Sequence, residues 1–456
     1  MNIGSKNLNL RTVFPATGAT TMAAGYKTRS RNAGRIIFII LTTISLTLVA
    51  VFVALNFTTG EKKIEQRIAR LYSAEDPAFA RAMGVLLGPA ISSGNRFDAL
   101  LNGDQIFPHM LESIRGAKQS ITFETYIYWS ETIGKQFADA LAERARAGVK
   151  VHVLLDWLGS SKMDATHLSE MEQAGVQVRR FHEPKWYNLA RMNNRTHRKV
   201  LVVDGRIGFT GGVGIADQWT GSAQDPQHWR DTHFRASGPV VAQMQAVFLD
   251  NWIKATGEVL HGEKYFPALP AAGTAKAQMF SSSPSGGSES MQLMYLLAIT
   301  AAQHSIHLSS AYFVPDALTL RALTEAIQRG VKVQIIMPGP HMDAETVQRA
   351  SRARWGDLLK AGAELYEYQP TMYHCKVMIV DALWVSVGST NFDSRSFRIN
   401  DEANLNIFDG EFAAAQIAHF RDDLSKSRRI RLEVWQQRPL AEKFWEHAAS
   451  MLGGQL

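Results

Sequence analysis

From Ile36 to Leu55 the chain reads IIFIILTTISLTLVAVFVAL, a run with no charged residue. At about 1.5 Å per residue, such a helix spans about 30 Å, the thickness of a bilayer core. The run is apolar on every face, which argues against a core helix. It outlasts the apolar region of an ordinary signal peptide and lacks a small-x-small cleavage site, so it predicts a retained membrane anchor over 36–57. Glu61–Tyr72 (EKKIEQRIARLY) follows, with Ile64, Ile68 and Leu71 at helical spacing, and predicts a helix leaving the membrane within a linker over 58–95. Gly84–Gly103, rich in Gly, Ser and Asn, predicts a loop or entry segment.

Beyond that the patterning repeats. Ile121–Trp129 (ITFETYIYW) alternates as a strand does and matches Ile306–Val314 (IHLSSAYFV). Helical Phe137–Ala147 leads into GVKVHVLLD at Gly148–Asp156, and helical Leu320–Arg329 leads into GVKVQIIMP at Gly330–Pro338. Ala174–Phe181 (AGVQVRRF) then matches Ala361–Tyr368 (AGAELYEY). Helix, glycine and a Val/Ile-rich strand, twice over, predict an α/β fold of two tandem domains, 96–261 and 289–456, each with a mostly parallel sheet flanked by helices. The Pro, Gly and Ser of 262–288 mark a linker between them. Near the end, helical Phe412–Leu424 is followed by a segment whose Trp435, Phe444 and Trp445 would either touch lipid or, the favoured reading for aromatics at helical spacing, pack on the domain.

Composition changes this picture little, at 46% hydrophobic and 20% charged residues. With one cysteine, Cys375, no internal disulfide can form, and no Cys/His cluster suggests a metal. The net charge of +7 resides almost wholly in residues 1–35, where Lys6, Arg11, Lys27, Arg29, Arg31 and Arg35 meet no acid. The remainder carries about +1, so the basic balance is no argument for nucleic acid. A basic tail is expected on the cytoplasmic side, which would place the bulk of the chain across the membrane.

Each repeat ends in the same chemical signature. Thr196–Gly212 reads THRKVLVVDGRIGFTGG and Tyr373–Asn391 reads YHCKVMIVDALWVSVGSTN. His197, Lys199 and Asp204 share the spacing H-x-K-x4-D with His374, Lys376 and Asp381. Alternation puts each histidine and lysine on one side of its strand, with Cys375 opposite. An imidazole beside an ammonium suits a phosphate, one as nucleophile or acid and the other as counter-charge.

This pair of motifs resembles the phospholipase D superfamily, whose members join two HKD motifs in one site. The nearest resemblance, over about 95–440, is to bacterial cardiolipin synthases. It rests on FETYIYW, GVKVHVLLDW, NRTHRKVLVVDGRIGFTGG, HWRDTH, GSTNFDSRSFRINDEANL and the late Trp435–Leu440. The resemblance implies a phosphatidyl group transferred from one phosphatidylglycerol to the terminal hydroxyl of another, with glycerol released. One histidine, with His197 favoured, would attack phosphorus and form a phosphohistidine, and the other would exchange the proton. Lys199 and Lys376 would hold the non-bridging oxygens, joined by Ser389 and Asn391, with no metal and no other cofactor. An acid downstream of each motif is expected to pair with a catalytic histidine, with Glu402 the candidate in the second half and Asp231 in the first. Asp204 and Asp381 complete the two motifs and are expected in the catalytic set with them, where they either orient the motif or cap the turn after it. Gly211-Gly212-Val213-Gly214 departs from the pattern by lacking the hydroxyl and amide of Gly388–Asn391.

The partners implied are a phospholipid and a bacterial inner membrane crossed once, with no nucleic acid. The same residues would also serve a hydrolase making phosphatidic acid, a phosphodiesterase or nuclease, or, with the chemistry lost, a lipid-binding scaffold. Trp186 and Tyr187, just before the first motif, are placed to line a lipid entrance.

Overall fold

The computed structural model describes residues 20–57, 64, 66–183, 193–284, 291–451 and 453. It divides into two compact units, Met1–Thr58 and Thr59–Leu456. In the first, a helix runs from Thr20 to Phe57, and its stretch Ala33–Ala54, of mean hydropathy 2.8, is long and apolar enough to cross a membrane.

The second unit contains the duplication. Its first half supplies strands β1 (Ser92–Leu101), β2 (Ser120–Thr125), β3 (Lys150–Asp156), β4 (Gln177–Phe181), β5 (Val200–Val203), β6 (Ile207–Gly211) and β7 (Thr232–Ser237). The second half supplies β8 (Ala275–Ser282), β9 (Ser305–Ser310), β10 (Phe313–Val314), β11 (Lys332–Pro338), β12 (Glu364–Tyr368), β13 (Lys376–Val380), β14 (Trp384–Gly388), β15 (Phe392–Asp393), β16 (Glu402–Phe408) and β17 (Ser427–Ile430). Strand order in the first half is β1-β7-β6-β5-β2-β3-β4, and the second repeats it as β8-β16-β14-β13-β9-β11-β12 before adding β17. Pairing of β8 with β1 fuses the two into one 15-stranded sheet, while β10 and β15 form a small pair of their own.

Three expectations from the sequence are corrected here. The sheet is mixed rather than mostly parallel: in each half only the β2-β3-β4 or β9-β11-β12 set is parallel, and the other strands of the repeated order pair antiparallel. The reason is local. Each HKD strand reverses through a tight turn into its neighbour, closed by Arg206 N–H to Val203 O at 2.9 Å and by Leu383 N–H to Val380 O at 3.0 Å. Secondly, the expected loop at Gly84–Gly103 and the linker 262–288 both contain strands, β1 and β8, which are the two that fuse the halves. Thirdly, described residues of Glu61–Tyr72 are not helical; Ile68 and Tyr72 pack against the second half's core instead, and a helix begins only at Pro77.

Alternation along the strands sorts side chains between layers. Leu201 and Val203 join the first half's core under the helices Asn102–Gly116 and Thr132–Arg146. Val200 and Val202 point the other way, into a core built with the helix Val240–Thr256 and with Ile379, Val385 and Leu405 of the second half. That shared core holds the halves together beneath the site. At the end of the chain Trp435 packs, donating to Arg352 O at 3.0 Å, but Phe444 and Trp445 are exposed, contrary to expectation.

Candidate active site

His197 and Lys199 lie just ahead of β5, and His374 and Lys376 where β13 begins. Each docks on the opposite half through backbone pairing. His197 N–H donates to Asp401 O at 2.9 Å while Asp401 N–H donates to Arg195 O at 2.8 Å. Arg230 N–H donates to Met372 O at 3.0 Å while His374 N–H donates to Arg230 O at 2.7 Å. Each histidine therefore arrives beside an acid from the other repeat.

His197 Nδ1 lies 3.0 and 3.1 Å from the two oxygens of Glu402, and His374 Nδ1 lies 2.7 Å from Asp231 Oδ2. The expected acids are present, and each pairs across the halves. Both carboxylates are buried, and their partners keep them below the usual carboxylate range although burial alone would raise them. An ionised carboxylate only accepts, so each Nδ1 carries the proton and each Nε2 presents a lone pair. Burial lowers His197 to about 4 and, with the Lys376 ammonium added, His374 to about 3. Lys199 is lowered to about 7, again by burial first and by Lys376 in addition. Lys376 is lowered by burial, and its Nζ lies 3.1 and 3.2 Å from the two ring nitrogens of His374. Both ammoniums also donate to the carbonyl two residues back, at 2.8 and 2.7 Å.

The two halves satisfy their acids differently. Ser389 Oγ donates to Glu402 Oε2 at 2.5 Å, so the serine expected to bind substrate holds the acid instead and is fully buried. At the matching Gly212 an added Cβ would sit 2.2 Å from Asp231 Oδ1, and Trp219 Nε1 donates to Asp231 Oδ2 at 3.1 Å in the hydroxyl's stead. The departure of the first loop from the family pattern thus makes room for its acid.

Asp204 and Asp381 stand outside the cavity, and their catalytic expectation is corrected. Asp204 accepts from the N–H groups of Lys118, Gln119 and Ser120 at 2.7 to 3.1 Å, and Asp381 from Gln303, His304 and Ser305 at 2.7 to 2.9 Å. Each clamps the start of the neighbouring strand to its own turn, at φ 54° and 53°. Cys375 faces away from the cavity, where burial pushes its thiol up to about 12. Its counterpart in the first repeat is Arg198, which is buried and paired with Asp250 at 3.0 Å; in the second half the buried cation comes instead from Arg230, held by both oxygens of Asp423 at 2.8 and 2.9 Å.

A cavity of about 530 Å³ opens on His197, Lys199, His374 and Asn391. Trp219 and Trp229 form one wall, their rings 5.3 and 5.4 Å from that of His374. Tyr126 lies against His197 at 5.3 Å, and Arg195, Arg395, Tyr312 and Asp343 also line the space. These last residues were not singled out from sequence. Arg195 and Arg395 stood in plain view, two before the first motif histidine and four after Asn391, and that nearness was the available signal. Trp186 and Tyr187 lie outside the described residues. Among the described residues no group of three or more His, Cys, Asp and Glu is placed to hold a metal.

Two neutral imidazoles aimed at one cavity between two ammoniums can take a phosphodiester through nucleophilic attack on phosphorus. On a duplicated α/β sheet, with each half completing the other's histidine, that is the arrangement of a phospholipase D-type enzyme. A family model described as "Cardiolipin synthase, PLD-like domain" matches residues 110–252 and 295–424. Cardiolipin synthase 2 of Bacillus anthracis is 33% identical over 398 residues, 86% of this chain and 77% of that protein. The major cardiolipin synthase ClsA of Bacillus subtilis is 35% identical over 361 residues, 78% of this chain and 75% of that one. The fold alone is shared with phosphatidylserine synthase of Haemophilus influenzae Rd KW20, at a TM-score of 0.62 and 14% identity over 83% of this chain and all of that one. The chain belongs to the phospholipase D-like cardiolipin synthase family.

Proposed function

We propose that the protein is a membrane-held phosphatidyltransferase that makes cardiolipin from two molecules of phosphatidylglycerol. The observation that carries this reading is the reciprocal pairing of His197 with Glu402 and of His374 with Asp231 around a single cavity. His197 Nε2 attacks the phosphorus of the donor lipid, and His374 protonates the departing glycerol oxygen. A second phosphatidylglycerol then presents its terminal hydroxyl. His374 takes that proton while the P–N bond to His197 breaks. Both steps need charge on the non-bridging oxygens to be balanced, which Lys199 and Lys376 do. The negative charge of the phosphodiester favours the protonated form of the buried His374, against the burial and the Lys376 ammonium that lower it. Glu402 and Asp231 fix the tautomers and stabilise each imidazolium as it forms. The apolar helix holds the enzyme to the membrane of its substrate, with one crossing of the bacterial inner membrane and the catalytic unit on the outer side.

The test is the set of lipid products formed by purified protein in phosphatidylglycerol vesicles, beside His197→Ala and His374→Ala. Cardiolipin with free glycerol, lost in both variants, is expected. Phosphatidic acid as the main product would make the enzyme a hydrolase and overturn the reading.

A further inference from the structure

Both repeats carry the tripeptide Met-Asp-Ala ahead of the helix that follows β3 or β11, at Met163–Ala165 and Met342–Ala344. In the first, Asp164 caps the helix Ala165–Gln173, its Oδ1 accepting from Thr166 N–H at 2.7 Å. In the second, the helix Glu345–Ala361 starts with no side-chain cap. Asp343 instead accepts from the Tyr312 hydroxyl at 2.7 Å, and both residues line the catalytic cavity. Tyr312 is a second departure, since its counterpart in the first repeat is Ile127, which lines the same cavity without a hydroxyl. The chain forgoes a stabilising cap and places a carboxylate where its other copy has none.

A carboxylate is out of place in a wall built only for a phosphate. Asp343 is accessible in the structure, near enough to Lys376 to feel its charge, and would repel a phosphodiester anion. It is an acceptor, suited to hydroxyl groups. The cavity offers more acceptors of the same kind. The amide oxygens of Asn391 and Asn400 are buried and have no hydrogen-bond partner among the described residues, and both side chains line the cavity. Asn400 turns its Nδ2 to Glu402 Oε1 at 3.3 Å, which leaves the oxygen as its unused end. Buried acceptors without partners are costly, and a ligand rich in O–H groups would relieve them.

We propose that Asp343, oriented by Tyr312 and helped by the amide oxygens of Asn391 and Asn400, is the subsite for a vicinal diol on the incoming alcohol. This rests on the transferase reading above. In the second half-reaction the terminal hydroxyl of the acceptor glycerol forms the new O–P bond as the bond from phosphorus to His197 Nε2 breaks, and its proton passes to His374 Nε2. The neighbouring hydroxyl donates to Asp343 and holds the glycerol in line. Water and monohydric alcohols have no second hydroxyl to offer. The subsite therefore decides whether the phosphohistidine is consumed by a polyol head group or by solvent.

The experiment uses full-length protein in phosphatidylglycerol vesicles containing a fixed concentration of ethanol, with cardiolipin, phosphatidic acid and phosphatidylethanol quantified together. In Asp343→Ala the ratio of cardiolipin to phosphatidylethanol is expected to fall about tenfold or more, the worth of one hydrogen bond to a charged acceptor. Tyr312→Phe should move the ratio in the same direction by less, and Asp164→Asn, at the capping counterpart, should leave it unchanged. An unchanged product ratio in Asp343→Ala, whatever happens to total turnover, would overturn the proposal. Failure of the unsubstituted protein to consume phosphatidylglycerol at all would instead overturn the transferase reading and this subsite with it.

Discussion

Lys199 should set the alkaline limit of catalysis. Its ammonium is almost fully buried, and burial together with Lys376 brings it from 10.5 to about 7 against the opposing pull of Glu402, Asp231 and Asp156. The shift corresponds to about 5 kcal/mol of lost preference for the charged form. Below pH 7 the lysine is protonated and can balance the phosphodiester; above it, the proton leaves and the site loses one of its two ammoniums. Because kcat/KM reports the free enzyme, its ratio to that of Lys199→Arg, in which the His374 titration is shared and cancels, should fall about tenfold for each pH unit above 7, to about a tenth at pH 8 and about a hundredth at pH 9. The limb of kcat should lie higher, since bound substrate carries a negative charge that keeps the ammonium protonated.

The assay is cardiolipin formation in mixed micelles in which phosphatidylglycerol is dilute, so that an anionic surface does not shift the local pH. Lys199→Arg is the decisive variant. A guanidinium remains charged throughout the range, so the limb near pH 7 should vanish even where the change of geometry lowers the overall rate. A kcat/KM that is flat from pH 6 to pH 9 would refute the reasoning. So would a limb that stays at pH 7 in Lys199→Arg, which would place the titrating group elsewhere.

Glu402→Gln and Asp231→Asn keep the volume of each acid but remove its charge, and each should cut kcat by about 100- to 10,000-fold with the fold intact by circular dichroism; loss below tenfold would deny these acids a part in the chemistry. Asp204→Ala and Asp381→Ala should act on stability instead, costing about 1–3 kcal/mol by urea titration while kcat of the folded protein stays within about threefold. Ala382 sits at φ 54° in the turn where the first repeat has Gly205 at φ 62°, so Ala382→Gly should stabilise by about 1 kcal/mol. A lower urea midpoint in that variant would contradict it. Asp423→Ala leaves the buried Arg230 unpaired and should destabilise by about 3–5 kcal/mol, which the same titration would read.

What the sequence made legible was whatever is local or repeated. His and Lys two apart must share a side of the strand, and two registered copies identify a phosphate site before any fold is known. The direction of the strands is not carried by a Val/Ile run, although Asp204-Gly205 between two apolar runs was a hairpin signal that favours antiparallel pairing. Strand β1 escaped because SSGNRFDALL has a buried asparagine: Asn95 Nδ2 donates to Ser92 O at 2.9 Å and Ala275 O at 3.2 Å, and its Oδ1 accepts from Val240 N–H at 2.8 Å. A polar residue that saturates its hydrogen bonds inside a sheet looks like loop when only its polarity is visible. Phe444 and Trp445 show the converse, since helical spacing defines a face but not what covers it.

The pairing of acids with histidines could not be read from either repeat, because 205 residues separate His197 from Glu402 and 143 separate Asp231 from His374. A site assembled within one repeat would place each acid with the histidine of its own repeat, and the structure exchanges the partners between the repeats. The exchange has a physical consequence. Neither half alone can fix the tautomer of its own histidine, so the nucleophile and the proton carrier acquire their roles only when the halves dock. The backbone bonds that effect the docking, from His197 to Asp401 and from His374 to Arg230, begin at the histidines themselves. Any movement that loosens the interface therefore releases both imidazoles from their carboxylates together. Catalytic competence and the packing of the two repeats are in that sense one equilibrium, held by the shared core of Val200, Val202, Ile379 and Leu405 beneath the site.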